Sequence, residues 1–266
     1  MGCTASNVNG SNHQKRPSSA KVQPVRSSLR LSNKDTAIQD RRLSNSISSD
    51  NEEYLDPNSL TTKDPLLLFR KWFEEAQYSE GVHLATSMTL GTCSKKGIPS
   101  SRIVGVKGFD SEGFKIATNK YSRKALDMME VPHASLMFYW EPMNRMVRID
   151  GPVDLLTEEQ AVEIWKSLPR AAQLIHYASD QDKYLSSRQD FIDRRRRLEN
   201  EFGDSTPIPK NPDWVAFNVR PEKWEFYQVS SDLPDRLLFT KENDATIDGV
   251  FCQARTNDWL IFRLSP

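Results

Sequence analysis

Residues 100–124 read SSRIVGVKGFDSEGFKIATNKYSRK, and the rest of the chain is organised around them. Two short runs, 102–106 and 114–118, alternate apolar with other side chains, which is the period of a half-buried strand. A Gly-containing turn joins them. Arg102 and Lys107 accompany the first run, and Arg123 and Lys124 follow the second. Ser122 is placed to cap a helix predicted over 123–129. A helix start offers unpaired N–H groups and the positive end of a dipole, and nearby cations add charge, so this arrangement suits a phosphate. The same residues also fit a solvated hairpin with ordinary surface cations.

Working outward, Asp64 and Pro65 open a predicted helix that runs to about Tyr78, with Leu67, Leu68, Trp72 and Phe73 on its packed face. Strands are predicted over 88–94, 134–140 and 145–153, the last two pairing with each other. The sequence Thr157-Glu158-Glu159-Gln160 is a capping box, and its helix ends before Pro169. Residues 182–202 read as a charged helix whose Arg194–Arg197 run is a solvated face rather than a nucleic-acid site. Further strands are predicted over 214–220, 223–228, 237–240 and 259–264. Short strands at close spacing, outnumbering helices, indicate a mainly β antiparallel barrel with peripheral helices.

Several ordered motifs carry a resemblance. They are Arg102-x4-Lys107-Gly108-Phe109, Thr118-Asn119-x2-Ser122-Arg123-Lys124, and Phe138-Tyr139-Trp140-x4-Arg145-x-Val147-Arg148-x2-Gly151. Glu225-Phe226-x-Gln228, Asp235-Arg236 and the ending Asp258-Trp259-Leu260-x2-Arg263-Leu264-x-Pro266 follow in the same order. From about Asp64 to the last residue the chain resembles the pyridoxine (pyridoxamine) 5′-phosphate oxidases. The resemblance implies an FMN-binding split β-barrel, Greek-key-like, working as a homodimer with FMN at the subunit interface. It implies FMN-dependent oxidation of a small substrate to pyridoxal 5′-phosphate, with dioxygen reoxidising the flavin.

The resemblance assigns FMN phosphate contacts to Arg102, Arg123 and Lys124. Backbone of Arg102, Ile103, Val104 and Gly105, and around Ala117 and Thr118, would line the flavin ring. Gln181, Tyr227 and Arg236 would reach it from later segments. Three positions depart from the family pattern: Met146 replaces a usual Gln, Asp182 a usual Ser, and Tyr227 a usual Trp. At the substrate phosphate Lys107 remains, while the family's Tyr, Arg and Ser fall on Ile164, Leu168 and Ala172. The family's Arg-x-His falls on Asp232-Leu233-Pro234. Charged hydrogen bonds contribute roughly 1.5–3 kcal/mol each. Losing two or three would weaken binding of the substrate phosphate by on the order of 10³–10⁴. The alternative is therefore an FMN-binding family member with a different, less anionic substrate or no catalysis, tethered to membrane. Arg170, two residues past Leu168, is the one nearby cation that could swing in to replace them, although helical spacing would aim it elsewhere. No catalytic acid or base and no metal site is assigned.

The chain has 266 residues with 36 basic and 36 acidic side chains, so no global field points to nucleic acid. Cys3, Cys93 and Cys252 form neither a metal-binding spacing nor a disulfide framework, which fits a reducing, cytoplasmic setting. Residues 1–60 are rich in Ser, Asn, Lys and Arg and are expected to be disordered. They begin Met-Gly-Cys-Thr-Ala-Ser, which places Gly2 as an N-myristoyl acceptor and Cys3 as an S-acylation site. With the basic residues that follow, this predicts peripheral membrane contact. The Arg41-Arg42-Leu43-Ser44 sequence suits a basophilic kinase, and phosphate there would weaken that contact. The expected organisation is a tail over 1–60, an FMN-binding split-barrel domain over 61–205, and a dimerisation segment over 206–266 that completes the barrel.

Overall fold

The computed structural model describes residues 54–230, 233–241, 254–256 and 258–266. Gly2, Cys3, Asp232 and Cys252 lie outside the described residues. Helix α1 (Pro65–Tyr78) starts where Asp64 Oδ1 accepts the N–H groups of Leu66 at 2.8 Å and Leu67 at 3.2 Å. Its inner face carries Leu68, Phe69, Trp72, Phe73 and Ala76. Leu67, expected on that face, is 51% exposed, because at 100° per residue it turns away from the stripe set by 65, 68, 69, 72, 73 and 76. Phe69 is fully buried, with the rings of Phe73, Phe109, Phe114, Phe138, Trp140 and Trp224 at centroid distances of 5.0–6.1 Å.

The sheet wraps around that aromatic cluster. Its main path orders the strands β10 (Ala254–Thr256), β11 (Trp259–Leu264), β9 (Leu233–Lys241), β8 (Lys223–Ser230), β6 (Arg145–Leu155), β5 (His133–Trp140), β1 (Ser87–Cys93) and β2 (Pro99–Gly105). A branch runs from β6 to β7 (Trp214–Val219), then β4 (Gly113–Asn119), then β3 (Gly108–Asp110). Strand β6 serves both parts. Its first half pairs with β5 and β8, and Val153–Leu155 pairs with Val219–Phe217 of β7. Gly151 sits at the bend, where a Cβ would run into the Arg220 carbonyl oxygen. The result is the mainly β split-barrel fold with helices on its outside.

The two cationic runs are not partners in one hairpin, which corrects the simplest reading of their spacing. Strand β2 pairs with β1, from Ser87↔Gly105 to Cys93↔Pro99, while β4 pairs with β3 and β7. The chain crosses from one part of the sheet to the other at Lys107, whose N–H donates to Lys115 O at 2.8 Å.

Helices α2 (Arg123–Glu130), α3 (Glu158–Ser167), α4 (Arg170–Ala178) and α5 (Arg188–Phe202) complete the molecule. Both bonds of the Thr157–Gln160 capping box are made, at 3.3 and 3.0 Å. Helix α4 was not expected, since Pro169 reads as a breaker; here it is the residue before the first turn. Helix α5 begins at Arg188 rather than 182, because Asp182 takes a left-handed φ of 66° and Ser187 provides the cap. The packed body also extends further toward the N-terminus than expected. Leu55 is 5% exposed, its N–H donates to Asp235 Oδ2 at 3.1 Å, and its carbonyl accepts from Arg263 at 2.6 Å. A second apolar cluster, centred on Trp165, Leu174, Ile208 and Trp214, packs α3 and α4 onto β7.

Candidate functional site

A cavity of about 480 Å³ opens between β2, β4, the start of α2, the end of α4 and the turn that follows it. Its wall brings together Arg102, Ile103, Val104, Gly105, Lys107, Ala117, Thr118, Arg123, Lys124 and Gln181 from the sequence expectations. Ser100, Ser101, His176 and Asp182 complete it.

The local fold explains this convergence. Strand β2 lies at the end of the sheet path and, among the described residues, pairs with β1 alone, which leaves alternate backbone groups along the cavity-lining 102–105 without a described strand partner. Arg102 is braced from below. Its guanidinium donates to Leu90 O at 3.0 Å, Thr92 Oγ1 at 2.8 Å, Ser100 O at 3.1 Å and Ser100 Oγ at 2.7 Å. Thr92 in turn donates to the buried Asp127 at 2.7 Å. Burial pulls the pKa of Arg102 below the ordinary guanidinium value, with Asp127 opposing that shift.

Lys124 is only 6% exposed, and its ammonium donates to Thr118 Oγ1 at 3.2 Å. Among the described residues no carboxylate stands within ion-pair distance of it. Burial lowers its pKa, the Arg102 charge adds to the lowering, and Asp182 opposes it. Thr118 donates its one hydroxyl proton to Gln181 Oε1 at 2.8 Å, so Ser122, at 3.1 Å, is the donor to Thr118. Ser122 precedes α2 but makes no side-chain bond to its first turn. That task falls to Asp182, whose Oδ2 accepts the Arg123 N–H at 2.7 Å.

Lys107 and His176 also line the cavity, close enough for the Lys107 charge to act on the imidazole. Burial lowers the Lys107 pKa. Burial, and then the Lys107 charge, lower that of His176 to about 4. The imidazole lies near the indoles of Trp165 and Trp214, at 6.5 and 6.1 Å. His176 was not singled out from sequence. It is a lone histidine on a helix that was itself not expected, and no local pattern marks it.

Two expected contributors lie elsewhere in the protomer. Tyr227 and Arg236 are cross-strand partners on β8 and β9, and Met146 is the next residue in that row. Arg236 donates to Glu225 Oε1 at 2.9–3.0 Å and to Ser265 O at 2.8 Å. Ile164 and Leu168 pack against the second apolar cluster rather than the cavity. Arg170 faces away, donating to Thr206 O at 2.7 Å and to Gly203 O.

A buried cation without a carboxylate, two flanking arginines, a helix start and an unpaired strand edge form a seat for a phosphate attached to a flat ring. The donor set fits a flavin mononucleotide: the cations suit its phosphate and the β2 edge suits the polar rim of its ring system.

Residues 75–228 match the family model described as pyridoxamine 5′-phosphate oxidase. The chain is 38% identical over 206 residues to the pyridoxine/pyridoxamine 5′-phosphate oxidase of Salinibacter ruber, covering 77% of this chain and 90% of that protein. It is 35% identical over 218 residues to pyridoxine-5′-phosphate oxidase of Bos taurus, covering 80% and 83%. Among solved structures, PhzG from Burkholderia lata, in complex with tetrahydrophenazine-1-carboxylic acid, matches with a TM-score of 0.67 at 22% identity, over 82% of this chain and all of that one. A pyridoxamine 5′-phosphate oxidase-related, FMN-binding protein from Nostoc punctiforme matches with a TM-score of 0.60 at 17% identity, over 77% and 100%. At those identities the two structures speak for the fold.

Proposed function

This chain belongs to the pyridoxamine 5′-phosphate oxidase family, and from that premise we propose that it is an FMN-dependent oxidase of a small, vitamin B6-like substrate. The single observation that carries the reading is the cation cradle around a 480 Å³ cavity, with Lys124 buried and no carboxylate paired to it. Arg102, Arg123 and Lys124 would hold the cofactor's phosphate. Backbone of 102–105 and 117–118, with Gln181, would hold its ring. Bound there, FMN would supply the redox chemistry for oxidising the substrate's alcohol or amine carbon, with dioxygen as the oxidant.

The protein's part is position and electrostatics. Lys107, also in the cavity wall, is the cation left for the substrate's phosphate. His176 stands beside it as a neutral imidazole above pH 6, able to donate or accept one hydrogen bond without adding charge. The buried indoles of Trp165 and Trp214 make the surroundings of His176 apolar.

A homodimer is part of this reading. The expected ring contacts split into two groups within one protomer, the cavity set and the row Met146–Tyr227–Arg236. That row belongs to the outward sheet face, where Ile103, Met137 and Tyr139 are 77%, 37% and 58% exposed. A second copy covering this face would bury apolar surface and bring the row near the other protomer's cavity.

One observation favours a second reading, in which the substrate is less anionic. With Ile164 and Leu168 in the apolar cluster and Arg170 bound to the 203–206 loop, helices α3 and α4 offer Lys107 no arginine. Acylation at Gly2 and Cys3 remains a proposal about the tail, for which Gly2→Ala should release the protein from membranes.

The test is purification followed by a visible spectrum and an oxygen-consumption assay, with and without added FMN. A yellow protein that consumes oxygen with pyridoxine 5′-phosphate is the expected result. Flavin binding without that turnover favours the second reading. A colourless protein that takes up no FMN overturns both.

A further inference from the structure

The cofactor seat already holds an anion of the protein's own. Asp182 Oδ2 accepts the Arg123 N–H at 2.7 Å, at the start of α2, beside the cavity-lining Arg102, Arg123 and Lys124. Its backbone adopts a φ of 66°, uncommon for a residue with a side chain, and Gln181 next to it is held by Thr118 at 2.8 Å. The turn is thus fixed with the carboxylate aimed inward. Ser122, the residue in sequence position to cap α2, leaves its helix unbonded.

Resting on the flavin reading above, we propose that Asp182 is a built-in competitor for the cofactor's phosphate and sets how strongly the cavity prefers FMN over the phosphate-free flavin. A phosphate seated on Arg102, Arg123 and Lys124 would compete for the same α2 N–H. Either the carboxylate yields that bond, or two anions share the seat at a Coulombic cost. Riboflavin has no phosphate and meets no such conflict. In the cofactor-free protein Asp182 is useful: it supports the charged states of Arg102 and Lys124, which burial and mutual repulsion disfavour.

The experiment is a fluorescence titration with FMN and with riboflavin of the full chain and of two variants, Asp182→Ser and Asp182→Asn. Asparagine tolerates the left-handed backbone and can still cap α2, so it removes charge with the least structural change. Circular dichroism and Tm without flavin report folding of each variant. The expected result is FMN binding about tenfold or more tighter in Asp182→Ser, and several-fold tighter in Asp182→Asn. Riboflavin affinity should stay within about twofold, and the Tm rise on adding FMN should be larger in both variants. FMN affinity unchanged or weaker in both folded variants overturns the inference and leaves the flavin reading standing. Equal tightening for riboflavin overturns it too, since the effect would not be on the phosphate. Failure of all three proteins to bind either flavin overturns the flavin reading itself.

Discussion

His176 and Lys124 are two titratable groups held off their ordinary pKa values, and each yields a test. His176 takes up its proton near pH 4 in the folded protein and near 6.5 when unfolded. Between those values the unfolded chain binds more protons, so stability is full above pH 6.5 and falls as pH drops toward 4. Allowing for partial exposure, the loss is about 1–3 kcal/mol. Urea unfolding at pH 7.5 and 4.5 should show wild type losing about that much more than His176→Gln; equal losses would detach the slope from this residue. Lys124 behaves oppositely on removal. Its charge is desolvated without a carboxylate, so Lys124→Met should leave the flavin-free Tm unchanged or raise it. FMN binding should weaken about 10- to 100-fold, read by fluorescence titration. A lower Tm together with unchanged FMN affinity would make Lys124 an ordinary structural residue.

At the scale of elements, the helix and strand positions followed from signals that act within a few residues. Asp64–Pro65, the Thr157–Gln160 box and the dense apolar run 134–140 each name a hydrogen bond or a buried face that the structure makes. The pairing of β2 with β1 rather than β4 was not legible, because strand partners are chosen by packing around Phe69, which no local pattern reports. Helix α4 was hidden behind Pro169, whose ring suits a helix start as well as a stop. The site was legible where cations cluster in sequence, at 102–107 and 123–124. It was not legible at His176, which is brought to the cavity by tertiary packing alone. The bend in β6 supports all of this: Gly151→Ala would press a methyl group onto the Arg220 carbonyl and push the two parts of the sheet apart. A stability loss of about 1–3 kcal/mol is expected from chemical unfolding, and a loss under about 0.5 kcal/mol would show that β6 bends there freely.

For the molecule as a whole, the question is why the residues that the family resemblance assigns to one flavin lie in two places. On β5 the residues alternate, with Leu136, Phe138 and Trp140 buried and Met137 and Tyr139 outward. The outward set continues across the ladder as Tyr139↔Met146 and Met146↔Tyr227, then Tyr227↔Arg236. Arg148 and Arg236 flank Glu225 at 2.8–3.0 Å, and Arg148 also meets Asp150 at 3.3 Å, so the face keeps two cations matched by two carboxylates beside its apolar residues. A face of this kind, apolar in patches with its charges already paired, can be covered by its own copy at little desolvation cost. Placing a glutamate at its centre should be decisive. Tyr139→Glu leaves the inward residues of β5 untouched, so the protomer should keep its fold and near-UV circular dichroism, yet sediment as a monomer, where the proposed homodimer predicts that wild type sediments as a dimer. If the partner's Tyr227 row completes the cavity, FMN affinity should drop about tenfold or more with it. A variant that is monomeric and binds FMN as tightly as wild type would mean that one protomer's cavity suffices, and that the second group of residues serves only the sheet.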